Sequence, residues 1–249
     1  MNEIQGKERI IFPLDVSSKE EALIWVERLK DLVGIFKIGF ELFTSCGPQI
    51  VEEVRNKGAK KIFLDLKLYD IPKVVSNTVK TISNLEIDWV TVHILSGFEA
   101  LKRAVESAYN NLKIIGVTIL TSLDRADLME LGFNSELVRD TKKIVLKLAS
   151  LGYKAGCDGV VCSAKEVELI KENYPSLLTI VPGVRFEEAI KRDDQLRTAT
   201  PYEIVLNGGD YLVIGRPIRE AEKPEEFCKK IIEEIEKAER EKEEKTNDS

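Results

Sequence analysis

Residues 61–72 read K-I-F-L-D-L-K-L-Y-D-I-P. The first half is a run of branched, aromatic and aliphatic side chains, the composition of a strand covered on both faces. Asp65 and Lys67 interrupt that run, and Asp70 follows it on a turn stopped by Pro72. A buried strand that ends in charges places polar chemistry where the strand leaves its sheet. Seven further runs share the pattern: I-I-F-P-L-D (10–15), G-I-F-K-I-G (34–39), W-V-T-V-H (89–93), I-I-G-V-T-I-L (114–120), G-V-V-C-S (159–163), L-L-T-I-V-P-G (177–183) and Y-L-V-I-G (211–215). Amphipathic segments separate them. In S-S-K-E-E-A-L-I-W-V-E-R-L-K (17–30), Ser17 or Ser18 can cap a helix whose apolar face is Ala22, Leu23, Val26 and Leu29.

Apolar strands alternating with helices indicate a parallel sheet covered by helices. Eight such units in 249 residues match a (β/α)8 TIM barrel, which typically takes about 250. A doubly wound sheet uses the same alternation, but no G-x-G-x-x-G turn follows the first strand. No linker rich in Pro, Gly or Ser divides the chain, so a single barrel domain over 1–249 is expected. From about Lys223 a last helix runs into E-K-A-E-R-E-K-E-E-K-T-N-D-S, which reads as a charged, solvated helical tail that frays.

The composition, 43% hydrophobic with 7% aromatic, supports one large aliphatic core. Of the net charge of −6, −4 falls from Arg219 onward, with twelve acidic against eight basic residues. The rest is nearly neutral and offers no broad cationic face for nucleic acid or anionic lipid. Cys46, Cys157, Cys162 and Cys228 form no C-x-x-C pair and read as buried free thiols suited to a reducing compartment. No run approaches membrane-spanning length and the N-terminus does not resemble a signal peptide, so a soluble cytoplasmic protein is expected.

Position carries the functional signal. Asp15, Lys37, Asp65 with Lys67, and His93 end the first four runs. Thr121 and Ser122 follow the fifth, Ser163 ends the sixth, Arg185 follows the seventh, and Gly215 with Arg216 ends the eighth. In a barrel all these ends converge on the C-terminal mouth, where such enzymes keep their active sites. Gathering several charges there costs desolvation unless they pair or bind a ligand.

Two apart on a strand, Asp65 and Lys67 share one side. Lys37 on the adjacent strand reaches the same volume, and with Asp70 the set forms an alternating Lys–Asp–Lys–Asp array. Flanking carboxylates favour charged lysines, which suits proton delivery to a carbanion and opposes Schiff-base chemistry. At the eighth strand, Gly215 lets a backbone amide approach an anion, and Arg216 offers a fork matched to phosphate oxygens. The polar stretch after P-G-V-R, residues 186–201, reads as a lid or a disordered loop, and Gln195 would be a ligand contact from such a lid. His93 is the only histidine, a hydrogen-bonded residue lining the mouth rather than a base, and one histidine rules out His-rich metal sites. Lysines competing for the carboxylates favour a site without metal or cofactor.

These motifs have a counterpart. D-x-K-x-x-D-I-P, with L-D-V, F-K-I-G, L-T-S, D-G-V-V-C-S, P-G-V-R, D-D-Q and D-Y-L-V-I-G-R-P-I in order from about residue 10 to 219, resemble the orotidine 5′-phosphate decarboxylase family. The resemblance implies metal-free conversion of orotidine monophosphate to uridine monophosphate and CO2, with Lys67 protonating C6 of the pyrimidine. It implies that Asp65 crowds the substrate carboxylate and holds the lysines, and that Lys37 completes the array and contacts ribose. Asp15 would bind hydroxyl groups of the substrate, and Thr121 and Ser122 would sit near the base. Arg185, Gln195, Gly215 and Arg216 would take the phosphate, with Pro182 also against the substrate. Asp70 and Ile71 would enter the neighbouring subunit's site, implying a homodimer. Val74 stands where some relatives place a hydroxyl toward ribose, which valine cannot supply.

Three other readings share parts of the pattern. Metal-dependent sugar-phosphate lyases of the same superfamily place a Glu shortly before D-x-K, where this chain has K-K-I-F-L-D. A Schiff-base aldolase would use one of the lysines as a nucleophile, and a non-catalytic nucleotide-binding barrel would leave the lysine–aspartate array without a task.

Overall fold

The computed structural model describes residues 6–184 and 199–247. Each apolar run forms a parallel strand beside the next, in chain order, and the last returns to the first. The strands are β1 (Ile10–Pro13), β2 (Ile35–Gly39), β3 (Ile62–Leu68), β4 (Trp89–His93), β5 (Lys113–Val117), β6 (Gly159–Val161), β7 (Leu178–Val181) and β8 (Tyr211–Val213), closed as a barrel. The expected (β/α)8 barrel is the observed fold. Several runs extend past their strands: β5 stops at Val117 rather than Leu120, and β8 at Val213 rather than Gly215. Ile119 and Ile214 stay buried beyond the ends of their strands, and the Ile214 amide still donates to the Ile11 carbonyl of β1 at 3.0 Å.

Side chains on each strand alternate between two cores. Phe12, Phe36, Ile62, Leu64, Val90, Val92, Ile114 and Leu212 belong to the large cluster under the helices. Ile11, Ile35, Phe63, Trp89, Ile115, Ile180 and Tyr211 form a separate cluster inside the barrel. Trp89 packs edge-on against Tyr211 and Phe63, with ring centroids 4.6 and 5.6 Å away, closing the floor of the interior.

Helix Lys19–Leu29 shows how the outer layer is fixed. Ser18 is the cap, its hydroxyl accepting the Glu21 N–H at 3.3 Å. The buried face is Ala22, Trp25, Val26 and Leu29, so Trp25 takes the place expected for Leu23, which is only half-buried. The reason is tertiary: the Trp25 ring lies 5.5 Å from Phe12 on β1.

Three aspartates stitch the entrance of the barrel. Asp88 accepts the Ile62 N–H at 2.8 Å, Asp158 that of Ile114 at 2.9 Å, and Asp210 that of Thr179 at 2.8 Å. Each precedes an even-numbered strand and takes an amide near the start of the odd-numbered strand before it. Arg55 reaches Asp88 at 2.8 Å and Lys171 reaches Asp210 at 2.7 Å, so two of the carboxylates are also ion-paired.

The charged C-terminal segment is a helix, Pro224–Asn247, docked along its first turns and exposed over residues 242–245. Cys228, Ile231, Ile235 and Ala238 are fully buried, and Arg9 holds Glu239 at 2.5 Å. Tyr202 donates its hydroxyl proton to Glu241 further along the helix. Cys157, Cys162 and Cys228 are buried free thiols, while Cys46 is half-buried. Burial pushes Cys157 and Cys228 up to about 12, too high for thiolate chemistry near neutral pH. Among the described residues no helix is long and apolar enough to cross a membrane.

Candidate active site

The inward set that supplies the barrel's floor also supplies its mouth. Two residues beyond Ile35, Phe63 and Trp89 come Lys37, Asp65 and Thr91, on the same side of their strands by simple alternation. Asp65 is the hub. Its Oδ2 lies 2.8 Å from Lys67 Nζ and 3.4 Å from Lys37 Nζ, and its Oδ1 accepts the Thr91 hydroxyl proton at 3.0 Å. Lys37 Nζ continues to Asp15 Oδ1 at 3.2 Å. Gly39 leaves room for this array, since a Cβ there would stand 3.3 Å from Lys37 Nζ and 3.4 Å from Asp15 Oδ1. Asp65 is buried and Asp15 half-exposed, so the array runs from the interior toward solvent.

Burial alone would raise the Asp65 carboxyl. Lys37 and Lys67, with hydrogen bonds from Lys67 and Thr91, outweigh it and hold the group below the usual carboxylate range. Asp65 is therefore an anion at neutral pH, with three of its lone-pair directions already taken.

Asp65 and Lys67 meet as expected, but not through a regular strand. The ladder pairs Leu64 with Val90 and then Leu68 with Val92, so β3 spends four residues where β4 spends two. Residues 65–67 are thus compressed into a bulge opposite Thr91, and Lys67 takes a left-handed φ of 45°. The Thr91 hydroxyl accepts the Lys67 N–H at 2.7 Å. The bulge keeps the Lys67 ammonium level with Asp65 instead of two strand residues above it.

The array is Asp15–Lys37–Asp65–Lys67, and Asp70 is not a member within one chain. Asp70 is exposed and accepts its own neighbour's Ile71 N–H at 2.6 Å, with no ion pair to either lysine. Past the end of β3 the chain has left the barrel axis, and a carboxylate there turns onto its own backbone. Ile71 is exposed as well and caps the start of helix Pro72–Ile82.

Around the rest of the mouth the placements vary. Thr121 and Ser122 are exposed on the loop after β5, ahead of helix Arg125–Glu130. Ser163 is buried at the end of β6. Pro182 is half-buried and followed by Gly183 at a positive φ of 78°. Arg185 and Gln195 lie outside the described residues. The flanking Val184 and Ala199 form a parallel bridge.

Gly215 caps the short helix Arg216–Arg219, and Arg216 is exposed at its first position. The glycine answers a packing demand: a Cβ there would lie 2.6 Å from Pro13 Cγ, so only glycine lets this turn sit against β1. Arg219 donates to the Asp15 carbonyl at 2.6 Å and ties the same helix to the β1 loop.

His93 is half-buried, its ring 5.5 Å from that of Tyr69, and its Nδ1 accepts the Leu95 N–H at 3.3 Å. Burial and the nearby Lys67 lower its pKa, so it is a neutral imidazole lining the mouth. Sequence reasoning missed Thr91, Gly39 and Arg219. Thr91 alone had a signal, a hydroxyl inside the apolar run W-V-T-V-H.

An eight-stranded parallel barrel carrying an interleaved set of carboxylates and ammonium groups at its C-terminal mouth defines a TIM-barrel enzyme. Comparison with known proteins narrows the class. The family model described as Orotidine 5'-phosphate decarboxylase / HUMPS family matches residues 8–231, and the chain belongs to that family.

Curated relatives agree. An orotidine 5'-phosphate decarboxylase of Carboxydothermus hydrogenoformans is 43% identical over 238 residues, covering 92% of this chain and 96% of its own. One of Desulfosudis oleivorans is 39% identical over 235 residues, covering 93% and 94%. Among solved structures, the orotidine 5'-phosphate decarboxylase of Lactobacillus acidophilus superposes with a TM-score of 0.77 at 31% identity, covering 91% of this chain and 98% of its own. That of Methanocaldococcus jannaschii, complexed with the inhibitor BMP, gives 0.71 at 27% identity, with 91% and 98% covered.

Proposed function

We propose that the chain decarboxylates orotidine 5′-monophosphate to uridine 5′-monophosphate and CO2, without a metal, with Lys67 as the proton donor to C6. The decarboxylase activity, that of a carboxy-lyase in pyrimidine biosynthesis, rests on the family and on relatives of that name near 40% identity. The observation that carries the residue assignments is the Asp65 carboxylate held between Lys37 and Lys67.

In this reading the C6–carboxylate bond breaks, CO2 departs, and the electron pair stays on C6. The Lys67 ammonium then donates its proton to that carbon and is recharged from solvent. A substrate carboxylate about 4 Å from Asp65 is repelled by roughly 4 kcal/mol at an effective dielectric near 20. Enzymes lower barriers by roughly 8–23 kcal/mol or more, so repulsion is the smaller part. Stabilisation of the developing carbanion by the nearby ammonium supplies the larger one. Lys37 contacts ribose, Asp15 binds hydroxyl groups on the ribose or pyrimidine side, and Thr121 and Ser122 lie beside the base. Arg185, Gln195, Gly215 and Arg216 take the phosphate, and Pro182 lies against the substrate. The donor set supports a metal-free site, because the oxygens of Asp65 already serve two ammonium groups and a hydroxyl.

The exposed Asp70 and Ile71 support a homodimer in which they complete the neighbouring site. Tyr69, Val74, Leu95 and Phe98, all exposed on or beside the loops after β3 and β4, supply apolar surface for such an interface. A single barrel domain acting in the cytoplasm completes the reading.

The test is loss of orotidine monophosphate absorbance, followed with and without EDTA, for wild type and Lys67→Ala. Activity should survive the chelator, and Lys67→Ala should lower kcat by more than about 10³-fold with the circular dichroism unchanged. A strict Mg2+ requirement, or near-normal turnover by Lys67→Ala, would overturn the corresponding part of the assignment.

A further inference from the structure

We propose that Thr91 is a positioning residue for the decarboxylation, setting the height and direction of the Lys67 ammonium through the bulge in β3. The inference rests on the assignment of Lys67 as acid and Asp65 as its partner, and concerns what holds them in place.

Thr91 is fully buried, and its hydroxyl is used in both senses: it donates to Asp65 Oδ1 at 3.0 Å and accepts the Lys67 N–H at 2.7 Å. One oxygen therefore fixes the side chain of one reacting-site residue and the backbone of the other. The need for it follows from the register. Because β3 places residues 65–67 opposite a single position of β4, the Lys67 amide falls out of the ladder. An amide without a partner in this half-buried setting is costly, and the Thr91 hydroxyl is the partner it finds.

The same amide belongs to a residue at φ 45°, a conformation that strains a side-chain-bearing residue and persists only when its surroundings over-determine it. Lys67 Nζ hydrogen-bonds Asp65 Oδ2 at 2.8 Å, so the hydroxyl, both residues and the ammonium close one ring of contacts. Loosening the hydroxyl frees both ends of that ring. A residue that served only the core would need no hydroxyl here, since valine has nearly the same shape.

The experiment compares wild type with Thr91→Val, Thr91→Ser and Thr91→Cys in the decarboxylation assay, alongside thermal melts. Serine keeps a strong donor and acceptor but loses a methyl group; cysteine keeps more volume but makes only weak hydrogen bonds. Displacement of a reacting group by about 1 Å can cost on the order of 100-fold in rate. Thr91→Val is expected to lower kcat at least ten-fold while KM stays within about three-fold, and Thr91→Ser to recover most of the loss. Cysteine should fall below serine in kcat even where it melts higher. Should Thr91→Val fail to fold, the order of serine and cysteine still decides.

A Thr91→Val enzyme with wild-type kcat, or cysteine outperforming serine, would sink the proposal and leave Thr91 as packing. If Lys67→Ala itself retained activity, the underlying assignment would be at fault and not the role of Thr91.

Discussion

Lys37 and Asp65 face one another across the seam between β2 and β3, Nζ to Oδ2 at 3.4 Å. The contact puts an ammonium between two carboxylates, since Asp15 approaches the same nitrogen at 3.2 Å. Neutralising Lys37 as Lys37→Met leaves Asp65 with Lys67 alone and leaves Asp15 without its cation. We expect kcat/KM for orotidine monophosphate to fall by about 100-fold or more in steady-state assays. A Lys37→Met enzyme within five-fold of wild type would remove this lysine from the chemistry.

The depressed pKa of Asp65 makes a stability statement. A carboxyl that is more acidic folded than unfolded binds fewer protons in the native state, so its contribution is full above the unfolded value near 4 and is lost as pH falls through the folded value. Wild type should therefore lose stability relative to Asp65→Asn as pH drops below about 4. Thermal melts of both proteins across that range measure the difference. Parallel curves would mean that Asp65 titrates no differently in the folded chain.

His93 is the only histidine, so its ring signals are unambiguous. Burial and Lys67 both disfavour its protonation. Its NMR titration should have a midpoint below the ordinary value of about 6.5, with the neutral ring protonated on Nε2, because Nδ1 accepts from Leu95. As with Asp65, the lowered value means that stability from this group is complete above about 6.5 and declines on acidification through the folded midpoint. A midpoint above 6.5 would contradict the environment described for the mouth.

Asp210 ties three groups at the entrance of the barrel: the Thr179 amide at 2.8 Å, the Thr179 hydroxyl at 3.1 Å and Lys171 Nζ at 2.7 Å. Asp210→Ala strands the Thr179 amide and takes the carboxylate from Lys171, whose ammonium keeps only the Pro175 and Leu177 carbonyls, which should cost about 3 kcal/mol. For a chain of this size that corresponds to a drop in Tm of roughly 6–12 °C. Because the site lies at the opposite end of the barrel, kcat at a temperature well below the melt should be nearly unchanged. A large loss of kcat without a loss of Tm would show that the entrance communicates with the mouth.

The features legible in the sequence are those set by local physics. Alternation along strands and the 3.6-residue period of helices mark the eight units, and charges at strand ends mark the mouth. Lys37, Asp65 and Lys67 do come together. Other features depended on pairing across distance. The bulge that levels Lys67 with Asp65 exists only against β4, and its hydroxyl anchor lies 26 residues away in the chain. Trp25 displaced Leu23 from the buried face because Phe12 was there to receive it. Asp70, which spacing alone placed in the array, turned onto its own backbone once β3 had ended. The C-terminal helix docks because Cys228, Ile231, Ile235 and Ala238 find an apolar surface to be buried against, with Arg9 from the other end of the chain meeting Glu239.

By itself the sequence determined which residue types stand at the end of each strand, since that follows from patterns spanning a few neighbours. Only the closed barrel decided which of them touch, because a contact between β2, β3 and β4 depends on register, and register is a property of the paired strands together.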